Sequence, residues 1–379
     1  MRRLSDTPEP EIEALERHTG AAERSESGER QSLRGSTAAG FYHDPPLWVG
    51  TVPVNFSSKV PIVDWTQLRR LAFRKVLANG IEIKVTIEGL FAFDFSTWPP
   101  AALIPSPPDR TKPFDGVPSF EERAAVVLER TLVMNAFLAF MYTRDLRHGS
   151  LARKIMTVTP EVLISMVNID TISGLGSQRV SQLYLLASQA ENSSSNEYLF
   201  ADERVMGRIG IAKEIVEMAA DDLAALMRAY PEDGVLVADL VLRAGKAGQD
   251  HNYSAALITY WAITEKMLQE LWQKYQDDNR ERDGKPFISN VRKKRLNDGR
   301  NYTAAVISEI LSLVGYLDIE LYHEISYIRV KRNDWMHNLG GKISNEDAAK
   351  AGDVATKLLE NVRGISLART VWGSIQIVS

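Results

Sequence analysis

The stretch Arg332-Asn333-Asp334-Trp335-Met336-His337 places an arginine and a histidine five positions apart inside an apolar pattern. The surrounding residues recur at spacings of three and four, which predicts an amphipathic helix with one buried face: Leu321, Ile325, Ile328, Arg332, Trp335 or Met336, and Leu339. Arg332 occupies a position on this face where a leucine would be expected. Because a guanidinium on a burying face needs a partner, the pattern predicts a carboxylate, a phosphate or a facing subunit beside Arg332.

His337 lies about 140° around an ideal helix from Arg332. The two side chains can therefore converge only if the helix ends there or if two copies of the chain meet. The residues that follow, Asn338-Leu339-Gly340-Gly341, predict such an ending, since asparagine and glycine are common just after the last helical residue.

The pattern Arg-Asn-x-x-x-His, late in a helical C-terminal region, resembles the signature of the HEPN superfamily. The resemblance covers roughly the last third of the chain, and it departs from one toxin branch in that no tyrosine follows His337. It implies a bundle of four or five helices that dimerises, so that two Arg/His pairs form one composite site. Many members of this superfamily are metal-independent endoribonucleases of toxin, antiviral-defence or RNA-processing systems.

These residue types suit RNA cleavage without a metal, in which a deprotonated 2′-hydroxyl attacks the adjacent phosphorus. The reaction needs a base, an acid for the leaving 5′-oxygen and positive charge beside the phosphorane. We therefore predict His337 as the proton-transfer residue, Arg332 as the phosphate clamp and Asn333 as a hydrogen-bonding positioner. Asp334 is expected to hold Arg332 or His337 or to face solvent, and Glu265 to pair with Arg332 across the bundle.

Three other interpretations of the motif stay open. Arg332 and His337 could be a surface arginine and a histidine that faces the C-terminal helix dipole. The bundle could hold RNA or a nucleotide without cutting it. It could also be a structural dimer in which Arg332 closes a salt bridge between subunits.

Composition limits the chemistry that the chain can do. The 379 residues include no cysteine, which excludes disulfides, thiolate zinc sites and cysteine nucleophiles. The histidines are scattered and no phosphate-binding or dinucleotide-binding glycine motif is complete, so we predict no metal and no cofactor.

The net charge of −4 means that RNA contact requires a local basic patch. The candidate is the cluster Arg292, Lys293, Lys294 and Arg295, for which a solvated loop is the alternative.

The chain divides into three parts by composition. Residues 1–40 are rich in Glu, Arg, Ser, Gly and Thr and predict a disordered tail. Residues 41–232 predict an α+β domain, for which we expect a sensory or regulatory role. Residues 235–379 predict an all-α, HEPN-like helical bundle, with the boundary at Pro231-Glu232-Asp233-Gly234.

Periodicity predicts the elements within these parts. Alternation over 81–87 and the run 90–95 predict a hairpin or small sheet, with Asn79-Gly80 as a turn. Thr159-Pro160-Glu161 predicts a helix start. Ser344 is the predicted N-cap of the last helix. Helices are expected over about 120–148, 211–230, 235–244, 253–275, 302–313, 319–338 and 344–363.

The sequence also gives expectations for the location of the protein and for its partners. The apolar run Thr131–Tyr142 is too short to span a bilayer and predicts a buried helix, and no apolar segment follows Met1-Arg2-Arg3 as in a secretory signal. We therefore expect a cytoplasmic protein without a membrane partner. The expected partners are RNA, a second copy of the chain, and an antitoxin or trigger protein.

Overall fold

The structure is a computed structural model that describes residues 38–43, 47–50, 54–55, 62–63, 70–97, 120–149, 154–166, 209–338 and 341–368. Its strands are β1 (Ala38–Tyr42), β2 (Leu47–Val49), β3 (Val54–Asn55), β4 (Ile62–Val63), β5 (Leu71–Val76), β6 (Glu82–Thr86), β7 (Leu90–Asp94), β8 (Ile164–Met166), β9 (Ile209–Ile211), β10 (Glu281–Arg282) and β11 (Lys285–Pro286). Its helices are α1 (Phe120–Arg147), α2 (Lys213–Ala229), α3 (Gly234–Gln249), α4 (Tyr253–Asp278), α5 (Asn290–Leu296), α6 (Ala304–Leu313), α7 (Ile319–His337) and α8 (Asn345–Arg363).

The predicted hairpin is present as β6 and β7, which pair antiparallel with Ile83 opposite Phe93 and Val85 opposite Phe91. These four side chains are fully buried on one face of the sheet, as strict alternation requires. Gly89 in the connecting turn has φ +83°, and a Cβ there would lie 2.5 Å from the carbonyl oxygen of Leu47. Only glycine fits that position, because both the backbone conformation and the close approach exclude a side chain.

The hairpin belongs to a five-stranded antiparallel sheet in the order β5-β6-β7-β1-β8. The predicted turn at Asn79-Gly80 joins β5 to β6, and the Leu77 N–H donates to the Ile81 carbonyl across it at 2.8 Å. The predicted tail was too long at its end, since Ala38, Ala39 and Gly40 are buried in β1 between β7 and β8. Their small size suits a strand that is covered on both faces. The rest of that tail lies outside the described residues.

Helix α1 covers the aromatic face of the sheet. Phe137 packs edge-on against Phe93 and tilted against Phe91, and these rings continue to Phe41. The predicted buried helix is therefore confirmed, although it is longer than the apolar run. Residues Ala124–Arg147 would by length and composition also be able to cross a membrane, and a mostly buried core helix passes the same test.

Residues 154–159 are held against α1 by Asn135. Its amide nitrogen donates to the Val158 carbonyl at 3.1 Å and its amide oxygen accepts from the Val158 N–H at 2.6 Å. The helix start predicted at Thr159-Pro160-Glu161 is wrong: these residues form a turn, closed by the Val162 N–H and the Thr159 carbonyl at 3.1 Å. The chain then enters β8, whose pairing with β1 overrides the local helix signal.

Asn135 also links the sheet-bearing part to α3. Its amide nitrogen donates to buried Asp239 at 2.7 Å, and Asp239 accepts from Arg243 at 2.7 Å. Burial raises the pKa of Asp239, and these two donors act against that rise. Buried residues on both sides of the turn at 231–233 belong to one continuous core. Separate folding of the two parts at that boundary stays a prediction.

Helix α4 is central to the helical part, and α3, α6, α7 and α8 pack against it. Its predicted stripe is buried at Leu257, Trp261, Thr264, Leu268 and Trp272. At the end of α8, the side chain of Arg363 is 4% exposed, donates to Asp233 and Glu270, and stacks on Tyr230. These contacts fix α8 to α3 and α4. The described protein is thus an antiparallel β-sheet region followed by a mostly helical region, with seven helices after Ile211 among the described residues.

Candidate functional site

The C-terminal end of α7 carries the three predicted catalytic residues. The buried face starts as predicted, with Leu321, Ile325 and Ile328 in the core. Burial then decreases toward the helix end, where Arg332 and Asn333 are partly buried and His337 is exposed. Of the two alternatives for the next position of the stripe, Trp335 is partly buried and Met336 is 48% exposed, and Leu339 lies outside the described residues. The site therefore lies where α7 emerges from the core.

Arg332 makes one hydrogen bond within the described part of the chain, from Nη1 to Asn333 Oδ1 at 3.0 Å. Consecutive helical residues point about 100° apart, so the guanidinium bends around the helix to reach this amide. The bond satisfies one N–H group and leaves the charge of the guanidinium without a counter-ion. Among the described residues no carboxylate lies within ion-pair distance of Arg332.

His337 is the last residue of α7 and is exposed. Asn333 precedes it by four residues, so the two lie about 40° apart on neighbouring turns of one face. Asn333 therefore lies between the guanidinium that it holds and the imidazole. The exposure of His337 meets one requirement of the proton-transfer role, since a packed imidazole could not reach a substrate.

Neither predicted carboxylate partner of Arg332 contacts it. Glu265 is exposed on α4, and Asp334 is exposed on α7 with no side-chain hydrogen bond to the other described residues. Of the expectations for Asp334, the structure agrees with the solvent-facing one. The backbone carbonyl of Asp334 instead accepts the Asn338 N–H at 2.9 Å and ends the helix.

The chain turns back over the end of α7 at Gly341. Its N–H donates to the Asn338 carbonyl at 2.7 Å. A Cβ on Gly341 would lie 3.3 Å from both the Asn338 oxygen and the Trp335 Cα. This close approach explains a glycine after the motif and keeps the loop against the helix end that bears His337.

Helix α8 fixes the direction of α7 through Asp347. This carboxylate accepts from the Tyr327 hydroxyl at 2.6 Å and pairs at 3.3 Å with Lys331, the residue directly before Arg332. It also forms the capping box with Ser344, so the predicted N-cap is confirmed. Burial raises the pKa of Asp347, but the bonds from Tyr327, Ser344 and Lys331 outweigh it and hold the pKa at about 2.

A second stripe runs along α7, on the side away from the core. Its spacing alternates between four and three, as in a helix with a partner: Ile319, His323, Ser326, Val330, Asn333 and His337. Ile319 is 55% exposed and Val330 is 50% exposed. Sequence reasoning missed this stripe because the buried stripe accounts for the same spacing, although the two apolar positions were a usable signal.

The predicted basic cluster lies on α5, a short helix capped by Ser289. Lys293 is engaged by Asp277 at 2.8 Å, and Arg292 packs over the ring of Phe287 at 4.7 Å. Lys294 and Arg295 are exposed and form no ion pair with the other described residues. Two of the four cations are thus available to a ligand.

The structure does not bring this cluster together with the motif. Helix α5 packs at the C-terminal end of α4, where the Trp272 indole donates to the Leu296 carbonyl at 3.1 Å. The residues just before α7 lie at that same end, since the Tyr316 hydroxyl donates to Asp278 at 2.9 Å. Helix α7 then runs away from it over ~27 Å at 1.5 Å per residue. Arg292–Arg295 and His337 therefore lie at opposite ends of the helical part.

Together the fold and the site define an α+β protein whose last antiparallel helix pair presents an arginine, an asparagine and a histidine at one end. Comparisons with protein-family models, with curated proteins and with solved structures find no match for this chain. Among the described residues, no group of three or more His, Asp or Glu side chains is placed to hold a metal ion. The geometry of α7 is therefore the basis for assigning a function.

Proposed function

We propose that this protein is a metal-independent endoribonuclease of the HEPN type that acts as a toxin or an anti-phage effector. The observation that carries the proposal is the Arg332–Asn333 hydrogen bond at 3.0 Å, beside an exposed His337. A partly buried guanidinium whose described neighbours include no counter-ion is suited to bind a phosphodiester. An imidazole on the adjacent turn can then transfer a proton at the same phosphate.

The proposed reaction uses the 2′-hydroxyl of RNA as its nucleophile. A neutral imidazole takes the 2′-OH proton, O2′ attacks phosphorus, and the P–O5′ bond breaks as a protonated imidazole gives its proton to O5′. The products are a 2′,3′-cyclic phosphate and a free 5′-hydroxyl. Arg332 stabilises the negative charge on the phosphorane, and Asn333 holds the guanidinium in position.

One chain supplies one histidine at this position, whereas the reaction uses an acid and a base. The outer stripe of α7 supports a two-fold dimer, in which the second copy supplies the second histidine. Parallel pairing of two copies of α7 along Ile319, Val330 and Asn333 would cover exposed apolar side chains and bring two His337 residues to the same end of one seam. The composite site is then formed by both copies.

Two exposed cations on α5, at the end of the helical part opposite to His337, are candidates for a second RNA contact. Lys294 and Arg295 are exposed, and the ~27 Å length of α7 separates their end of the helical part from His337. Their role would be affinity for the phosphate backbone, since phosphate contacts position a strand without reading its sequence.

The test is cleavage of RNA by the purified full-length protein in EDTA. We expect wild type to cut and to leave cyclic phosphate ends, and His337→Ala and Arg332→Ala to lose about 100-fold or more in rate. His148→Ala is the matched control, since His148 is also exposed at a helix end, on α1. Full activity in His337→Ala would refute the assignment. Wild type that binds RNA without cutting it would select the alternative of a non-catalytic binding module.

A further inference from the structure

A second arginine, Arg329, lies one turn before Arg332 on α7 and matches no motif in the sequence. Arg329 is partly buried, and within the described part of the chain no hydrogen bond or ion pair engages its guanidinium. Its charge acts on Tyr322, seven residues earlier on the same face. The pKa of Tyr322 is raised because its hydroxyl donates to Glu309, and Arg329 opposes this rise. Among the described residues, no ion pair joins Arg329 to Glu309.

Arg329 shares a face of α7 with the motif. Arg329, Arg332, Asn333 and Met336 are separated by three, four and seven residues, which places them on one side of a helix. The hydrogen bond from Arg332 to Asn333 holds the Arg332 guanidinium across this same face. Two cations three positions apart on a helix repel each other, and an anion bound between them would relieve this repulsion.

Two partly buried guanidinium groups on one helix face, with no carboxylate in contact among the described residues, form a site for an anion. The planar donor forks of arginine match phosphate oxygens, and two forks match two neighbouring phosphates or one diphosphate. Asp334 does not neutralise them, because it lies about 140° around the helix from Arg329. The exposed end of α7 gives a ligand access to this face.

We infer that Arg329 and Arg332 form a two-arginine phosphate site on α7. The anion site stands on this chain's own geometry, whereas its role toward RNA rests on the proposed ribonuclease function. In that role Arg332 binds the phosphate that is cut, and Arg329 binds the neighbouring phosphate of the strand. Arg329 is therefore a positioning residue, and its loss raises KM while kcat changes little.

The test uses inorganic pyrophosphate as the probe, titrated calorimetrically into the full-length protein at low salt. We expect Arg329→Gln and Arg332→Gln each to weaken binding about tenfold, which corresponds to about 1.4 kcal/mol. The control Arg228→Gln removes the same charge from an exposed position on α2 and should bind like wild type. Arg329→Lys keeps the charge without the fork and should give an intermediate affinity, provided that each variant melts like wild type.

Pyrophosphate binding that is absent in wild type, or equal in wild type and Arg329→Gln, would overturn the two-arginine site. If Arg329→Gln does not fold, unchanged binding in Arg329→Lys and Arg332→Gln would have the same meaning. The ribonuclease proposal fails separately, when wild type binds pyrophosphate through both arginines but does not cut RNA. If wild type cuts RNA, a raised KM at unchanged kcat in Arg329→Gln would show that Arg329 binds the RNA phosphate next to the one that is cut.

Discussion

Arg332 and Asn333 are consecutive on α7, and their side chains are joined by a hydrogen bond from Nη1 to Oδ1 at 3.0 Å. The bond brings a cation that starts on the core side of the helix toward the side that bears His337. An amide oxygen can hold a guanidinium in place without cancelling its charge, whereas a carboxylate would do both. We therefore expect the identity of residue 333 to determine whether Arg332 can bind an anion.

Asn333→Asp tests this relationship directly. The new carboxylate would pair with Arg332, so we expect RNA cleavage to fall about 100-fold while the free energy of unfolding changes by less than about 1 kcal/mol. Asn333→Ala, which frees the guanidinium but leaves its charge, should lose less activity. The measurements are cleavage rates and urea denaturation. Wild-type cleavage by Asn333→Asp would show that the charge of Arg332 has no part in the reaction.

Val330→Glu tests the dimer. Val330 is 50% exposed at the middle of the outer stripe, and a carboxylate there would place two like charges in the seam. We expect wild type to sediment as a dimer at micromolar concentration, and the variant to sediment as a monomer without cleavage activity. Val291→Glu, at a 67% exposed position on α5, is the control and should stay dimeric. A monomeric wild type that cuts RNA would contradict the composite site.

The double variant Lys294→Glu and Arg295→Glu tests the second RNA contact. A stacked strand advances ~3.4 Å per nucleotide, so about eight nucleotides are needed to reach from α5 to His337. We expect the variant to bind a 15-nucleotide RNA at least tenfold more weakly and with a shallower salt dependence. A tetranucleotide should bind the variant and wild type equally. Equal binding of the long RNA would assign the basic cluster to solvent.

Asp347→Asn tests the anchor between α7 and α8. The folded state lowers the pKa of Asp347 from 3.8 to about 2, so its stabilising effect is complete above about pH 5 and is lost as the pH falls toward 2. The shift corresponds to about 2 kcal/mol at pH 7. Urea denaturation should therefore find the variant less stable at pH 7, with the difference shrinking below about pH 5. Glu346→Gln, which changes an exposed acid in the same helical turn, should show no such pH dependence.

Several elements could be predicted from local sequence because their causes are local. The alternation over 81–87 and the run 90–95 specify the hairpin of β6 and β7, the turn at Asn79-Gly80 specifies the connection from β5 to β6, and Ser344 with Asp347 specifies the start of α8. The predicted helix at Thr159 failed because pairing of β8 with β1 is a long-range interaction, which no neighbouring residue records. Residues 38–40 were predicted as part of the tail for the same reason. Their small side chains give no local strand signal, and only their pairing with distant strands places them in the sheet.

The sequence by itself determined the helix that carries Arg332, Asn333 and His337, because helical spacing and glycine-rich endings are properties of neighbouring residues. Tertiary structure alone decided how far each side chain is buried, that Arg332 bonds to Asn333 instead of Glu265, and that Arg329 lies on the same open face. It also placed the basic cluster of α5 at the opposite end of the helical part. Burial and contact depend on which helices pack together, and residues far apart in the chain determine that packing.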